Sequence, residues 1–505
     1  MGRLSYTRAA AGANIGNVAV FSATLPMLAL PLDERAHPTH SPRSSMALEP
    51  DASPSPDPAT HDRDPASRAR PEPTTREELR SLVRLAIPIA LAQFAQILLS
   101  LTDTAIVGRT DPVALAGTGM GRSVSFAFFS LFIGVAGALD PLASQAIGAG
   151  EPRRAWSAFI SALRANLLLT PLVVALIITG WFALDATGTD PALSRACLHF
   201  LLGHALGGPL FGAFLCARGY LQSQGKTRPI VIAAIIANLV NVPVCLFFVR
   251  VLHWGAFGAG ISTTIASAVL TGIALRAAFA LRPDRHPTES ERVPVRKVLT
   301  LSVPVGLQML AEIGVFSLVG VLTGRFGAVQ SGAHQIALSL ASFTFMGALG
   351  VSAATATRVG IAVGESRSPR RPGLLGIAAG TAIMSVGALA FAIVPKALVS
   401  LFTNDRSVIT AAVPLLMIAA LFQLFDGAQG VAGGALRGIA DVHFAFVANV
   451  VAHWLIGLPV ALVLAFRFNM GVPGLWWGLT TGLIVVALSC TARFIVRAKG
   501  RVERV

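Results

Sequence analysis

Charge is scarce in this 505-residue chain: 13% of the residues are Asp, Glu, Lys or Arg, about half the share usual in soluble domains. Cysteine is scarce too. Cys197, Cys216, Cys245 and Cys490 stand singly within or beside apolar segments, without the close pairs of a zinc site or redox motif, and read as small packing residues. A Walker phosphate loop, a Gly-x-Ser-x-Gly elbow and a His-x-x-x-Asp acyltransferase pattern are all missing. The histidines in apolar segments, including His199, His204, His334, His443 and His453, form no metal-spaced set with carboxylates. These absences leave NTPase, hydrolase and metalloenzyme chemistry without its usual signatures. Energy for any uphill work then has to come from an ion gradient or another subunit.

What is present is hydrocarbon. Hydrophobic residues make up 54% of the chain and mean hydropathy is +0.68. From about Leu82 onward, apolar stretches of about 20 residues recur, the length a helix needs to cross a bilayer. The short alternating segments of a membrane β-barrel do not occur. The reading is an all-α polytopic membrane protein with about twelve transmembrane helices, near 81–107, 113–140, 155–183, 196–222, 228–250, 256–281, 297–323, 329–360, 373–402, 409–437, 442–466 and 472–496. The net charge of +15 sits at the edges of these segments, which argues against a nucleic-acid partner and for a lipid bilayer.

Residues 1–77 differ in composition, with Pro, Ser, Asp and Arg dominating from Asp33 to Arg76, and are expected to be disordered. Two readings of this extension stay open. Val18 to Pro31, behind Arg3 and Arg8, has some character of a signal peptide but no convincing small-x-small cleavage site, and Met46 is an alternative start. In the remainder, Arg and Lys cluster on alternate connections: Arg76, Arg80 and Arg84, Arg153 and Arg154, Lys226 and Arg228, Arg282 to Lys297, Arg367 to Arg371, and Arg493 to Arg504. The positive-inside rule puts these connections and both termini in the cytoplasm.

The two halves repeat. Pro88, Gly108, Arg109 and Gly134 meet Pro304, Gly324, Arg325 and Gly350 at one offset, 304 − 88 = 216. Arg218-Gly219 pairs with Arg437-Gly438, and Pro243 with Pro459. Six helices per half give a parallel repeat and a cleft between two lobes. The expected division is an N-lobe at 78–281, a cytoplasmic linker at 282–296 and a C-lobe with a short basic tail at 297–505.

Three carboxylates lie within these segments: Asp103, Glu312 and Asp426. A charge at bilayer depth costs about 2.5–3.5 kcal/mol on insertion scales, so an acid there marks a functional site. Gln93, Gln96, Ser100 and Asp103 fall within about 80° of one another on a helix and form a stripe expected to face a cavity. Asp103 lies near the outer end of its segment, where a hydrated loop-capping role competes with a cavity role. Asn238, Asn241 and Cys245 share another face. Gln308 precedes Glu312 by one turn; Asp426 is flanked by Gln423 and Gln429, with Phe422 one turn away. Neither Glu312 nor Asp426 has a Lys or Arg three or four residues distant. An unpaired carboxylate in low dielectric is suited to carrying a proton, and two across a small gap could hold Na+. A polar contact without exchange is the competing structural role.

Pro88, Asp103-Thr104-Ala105-Ile106-Val107-Gly108-Arg109, Gly148-Ala149-Gly150, Arg218-Gly219, Pro304 with Glu312, Ala333-His334-Gln335, and Gly434-Ala435-Leu436-Arg437-Gly438 with Gly457-Leu458-Pro459 resemble the multidrug and toxic compound extrusion (MATE) family, in its NorM-like branch. The likeness covers about 78 to 500 and includes both halves in order. It implies a secondary transporter, not an enzyme: an antiporter with no cofactor, exporting cationic or amphipathic organic compounds in exchange for Na+ or H+ from a bacterial inner membrane. It also implies cation coupling at Glu312, Asp426 and Asp103, with Asn241, Gln96, Gln308, Phe422 and Gln429 as cavity positions. Cys245 stands where relatives often carry Asn or Asp, so the C-lobe acids carry more weight than an N-lobe site. Two fused lobes suit a functional monomer. A related lipid-linked oligosaccharide flippase is the alternative; it would need a strongly cationic cavity, and intramembrane arginines other than Arg122 and Arg164 are few.

Overall fold

The computed structural model describes residues 73–505 apart from Thr187 and Arg501. The expectations of disorder, a signal peptide or a start at Met46 lie almost wholly in 1–72, outside the described residues. The described residues form an all-helical membrane protein. Its first lobe has α1 (Thr75–Gly108), α2 (Pro112–Gly148), α3 (Pro152–Ala186), α4 (Pro191–His204 and Gly207–Ser223), α5 (Arg228–Val251) and α6 (Gly255–Phe279). The second has α7 (Val295–Thr323), α8 (Ala328–Gly364), α9 (Arg370–Ile393), α10 (Arg406–Gly438), α11 (Val442–Arg467) and α12 (Val472–Arg497). Eleven of the described helices are single membrane-length spans, and the two parts of α4 make a twelfth.

Local chemistry sets the helix ends. α1 starts at Thr75, six residues before the expected boundary, because Thr74 and Glu77 form a reciprocal capping box: the Glu77 N–H donates to Thr74 Oγ1 at 3.3 Å and the Thr74 N–H to Glu77 Oε2 at 2.8 Å. Asp111 before Pro112 and Asp190 before Pro191 cap α2 and α4, with proline at the first position, where no N–H is needed. Asp405 accepts the Ser407 N–H at 2.8 Å and its hydroxyl at 2.6 Å, bonds that hold its carboxyl below the usual range.

The span expected as one helix at 196–222 is instead bent by 46° between His204 and Gly207. Pro209 lacks an N–H and its ring crowds the carbonyl four residues back, so the helix restarts after the bend. The repeat survives in fine detail. A π-helical turn covers Phe247–Val251 in α5 and Val463–Arg467 in α11, four residues after Pro243 and Pro459, and 463 − 247 = 216. A second π turn, Val451–Gly457, occurs in α11 alone among these two helices.

The lobes meet along α1 with α8 and α2 with α7, and the end of α2 packs on α8. Among the described residues, the hydrogen bonds and ion pairs joining the lobes lie toward the end that carries the basic connections. Glu78 accepts both Arg358 Nε and Nη2 at 2.7 Å. Arg437 Nε contacts Asp140 Oδ2 at 3.1 Å, Gln145 Nε2 donates to the Gly438 carbonyl at 3.0 Å, and Arg504 reaches Glu151 at 3.1 Å. The backbones are in contact here: a Cβ on Gly148 would collide with the Ile361 carbonyl, and one on Gly364 with the Gln145 carbonyl. Packed backbone cannot yield as a flexible side chain can. Gly364→Val should therefore prop the lobes apart at this end. Spin labels at Arg153 and Ser368 would read a longer, broader distance distribution in the variant; an unchanged one would contradict the close-packed seal.

Candidate functional site

The two acids of the C-lobe come together from α7 and α10, and α11 adds an amide. Glu312 on α7 is fixed by two amides: Gln429 Nε2 on α10 donates to Oε1 at 3.1 Å and Asn449 Nδ2 on α11 donates to Oε2 at 3.0 Å. Asp426 on α10 is 7% exposed and close enough to Glu312 for their charges to repel. Asp426 has no hydrogen-bond partner, and neither acid an ion pair, among the described residues. Gln308 is buried one turn before Glu312. One turn beyond the acids, Phe422 meets Phe316 edge-on at 6.0 Å and Trp476 at 5.6 Å, and His453 lies 6.2 Å from Phe316 between ring centroids.

Buried polar groups without partners are costly, so an orphaned one invites a ligand. Asn449 Oδ1 is buried with no partner, as are both ring nitrogens of His453. Two carboxylates and the unused Asn449 amide oxygen form a hard-oxygen set that fits a small cation. Like charges in low dielectric repel, and one shared Na+ or proton relieves that repulsion. The π turn at Val451–Gly457 begins just after Asn449 and contains His453, and such turns often re-aim side chains at functional sites. Sequence reading missed Asn449 and gave His453 no role. The available signal was an Asn and a His four residues apart, on one face of an otherwise apolar helix.

The N-lobe acid has a different setting. Asp103 is fully buried, so the hydrated loop-capping role does not apply. Its Oδ2 accepts Thr263 Oγ1 on α6 at 2.8 Å and lies 3.5 Å from Arg122 Nη2 on α2. The stripe expected to face a cavity is largely stitched to protein. Ser100 accepts Arg122 Nη1 through its carbonyl at 2.8 Å and through its hydroxyl, and Gln93 Oε1 accepts Arg218 Nη1 at 2.8 Å. Gln96 Nε2 and both polar atoms of Asn241 are buried and unpartnered. The acids therefore form a C-lobe pair and a separate N-lobe acid with its own arginine.

The MatE family model matches residues 88–247 and again 304–463. The two matches start 216 residues apart (304 − 88), the spacing of the internal repeat. The chain belongs to the MATE family. Members of this family are transporters. The chain is 33% identical over 462 residues to "Probable multidrug resistance protein NorM" of Pseudomonas putida, covering 85% of this chain and 96% of that one. It is 34% identical over 445 residues to the protein of the same name from Deinococcus radiodurans, covering 85% and 98%. A crystal structure of a eukaryotic MATE transporter superposes with TM-score 0.78 at 20% identity, over 84% of this chain and 98% of the other. A structure titled as the outward-facing conformation of a multidrug resistance MATE family transporter gives 0.75 at 18%, over 84% and 96%. At these identities the structural likeness establishes the MATE fold itself.

Proposed function

We propose that this MATE transporter expels cationic or amphipathic organic compounds, exchanging them for Na+ or H+ at Glu312 and Asp426. The observation that carries this is the pair itself: a buried Asp426 and a half-buried Glu312 whose charges repel, neither in an ion pair among the described residues, beside an unused amide oxygen. The chain's own residues supply the mechanism. Gln429 and Asn449 orient Glu312, Asp426 offers an uncommitted carboxylate, and the Phe316, Phe422 and Trp476 rings cover the site on one side. A cation bound there favours one arrangement of the lobes and organic substrate favours another. A ligand shifts such an equilibrium only through its differential affinity for the two states.

The proposed division is 78–281 for the N-lobe, 282–296 for the linker and 297–505 for the C-lobe. The basic connections are assigned to the cytoplasm and the protein to a bacterial inner membrane, with both termini inside. On that orientation the polar and glycine contacts between the lobes seal the cytoplasmic end. One chain carries both lobes, so a monomer suffices as the working unit. A flippase for diphosphate-linked lipid fits less well, because Arg122, Arg218, Arg358 and Arg437 are each engaged by a carboxylate or amide.

Efflux of a fluorescent organic cation from proteoliposomes tests this reading, with a Na+ gradient or a proton gradient imposed separately. Efflux driven by either gradient supports it and names the ion. Efflux of no tested cation under both gradients, from correctly inserted protein, would overturn it.

A further inference from the structure

The two lobes solve the same electrostatic problem in opposite ways. In the C-lobe neither acid forms an ion pair among the described residues, and Arg437 acts on Glu312 only from a distance. In the N-lobe Arg122 is clamped beside Asp103: its Nη2 lies 3.5 Å from Asp103 Oδ2, its Nη1 donates to the Ser100 carbonyl at 2.8 Å, and its guanidinium carbon sits 6.0 Å from the Phe200 ring centroid. The internal repeat sharpens the contrast. At the 216-residue offset Asp103 corresponds to Val319 and Arg122 to Leu338, while Glu312 corresponds to Gln96. The acid and its arginine are both absent from the corresponding C-lobe positions.

Around this ion pair lies a second set of oxygens. Asp103 Oδ1 and Asn241 Oδ1 are buried and unpartnered, and Thr263 presents its hydroxyl to the same carboxylate. The other titratable groups facing the pair are the Cys245 thiol, beside Asp103 on α5, and His204, beside Arg122 on α4. Each oxygen here could ligate a hard cation, but the positive charge is already supplied from α2.

We infer that Arg122 is a tethered counter-ion standing in place of a mobile one, which closes the N-lobe to ion exchange and leaves the C-lobe pair as the single coupling site. This rests on the reading above that ions exchange at Glu312 and Asp426. The guanidinium sits where a coupling cation would and cannot leave, so the N-lobe carboxylate stays neutralised throughout the cycle. Removing it should create a second cation site from Asp103, Asn241 and Thr263.

The test counts cations on purified protein in detergent. Bound 22Na+ and, in lightly buffered solution, protons released on adding tetraphenylphosphonium are measured for wild type and variants. Arg122→Ala should double the count, and Arg122→Ala/Asp103→Asn should restore it. Arg122→Lys should match wild type. An unchanged count in Arg122→Ala protein of normal thermal stability would overturn the inference. If that variant does not fold, the neutral pair Arg122→Gln/Asp103→Asn decides: the inference predicts the wild-type count, and loss of a cation would overturn it. Failure of the C-lobe reading shows separately, as a wild-type count that Glu312→Gln leaves untouched.

Discussion

Asp426→Asn protein should fold and insert like wild type while losing ion-driven efflux by at least ~10-fold, the equivalent of about 1.4 kcal/mol of lost differential binding. The expectation follows from what Asp426 does not do. It donates and accepts no hydrogen bond among the described residues, and its charge faces the repulsion of Glu312. A buried acid with no structural partner contributes nothing to the fold that the isosteric amide would lose. Its charge is useful only when a cation arrives. Glu312→Gln should lose coupling to a similar extent but carry a small stability cost, because two amide donors converge on the carboxylate and one of them would then face an NH2. Size-exclusion profiles and thermal melts separate the two effects. Full efflux by Asp426→Asn at normal expression would remove the carboxylate pair from the mechanism.

Arg358→Ala is expected to have the largest effect on stability. Glu78 is 1% exposed and receives both arms of the Arg358 guanidinium across the lobe interface. Deleting one partner of a buried, bidentate pair strands the other charge and costs about 3–5 kcal/mol. The melting temperature should fall and the lobes should separate more readily at that end. Replacing both charges, in Glu78→Gln/Arg358→Leu, should recover most of the stability, because nothing ionised is left uncompensated. Equal melting temperatures for wild type and Arg358→Ala would show that water reaches Glu78 and that the pair does not seal the interface.

Much of this architecture was legible before any coordinates. Membrane-length apolar runs and the 216-residue recurrence of Pro88 and Pro304 give twelve spans in two halves, and the paired π turns fall at the same offset. Glu312 and Asp426 stood out because a lone acid in hydrocarbon is rare. The partners that give those acids their character were not legible. Asn449 reaches Glu312 from another helix, Arg122 reaches Asp103 from a neighbouring span, and Arg358 reaches Glu78 across the lobe boundary. Such pairings depend on which helix faces decide to meet, and periodicity within one helix says nothing about that. The bend in α4 is an intermediate case. Gly207-Gly208-Pro209 was visible, but overall hydropathy hid the break.

On the proposed mechanism one site, the Glu312–Asp426 pair, holds the cation that organic substrate displaces. The most direct measurement is competition on the purified wild-type protein: cation bound at equilibrium, as 22Na+ or as protons, followed while tetraphenylphosphonium is titrated in. Substrate should release the cation in wild type, and Glu312→Gln/Asp426→Asn should bind substrate without releasing any. Release of the same amount of cation from the double variant would contradict it.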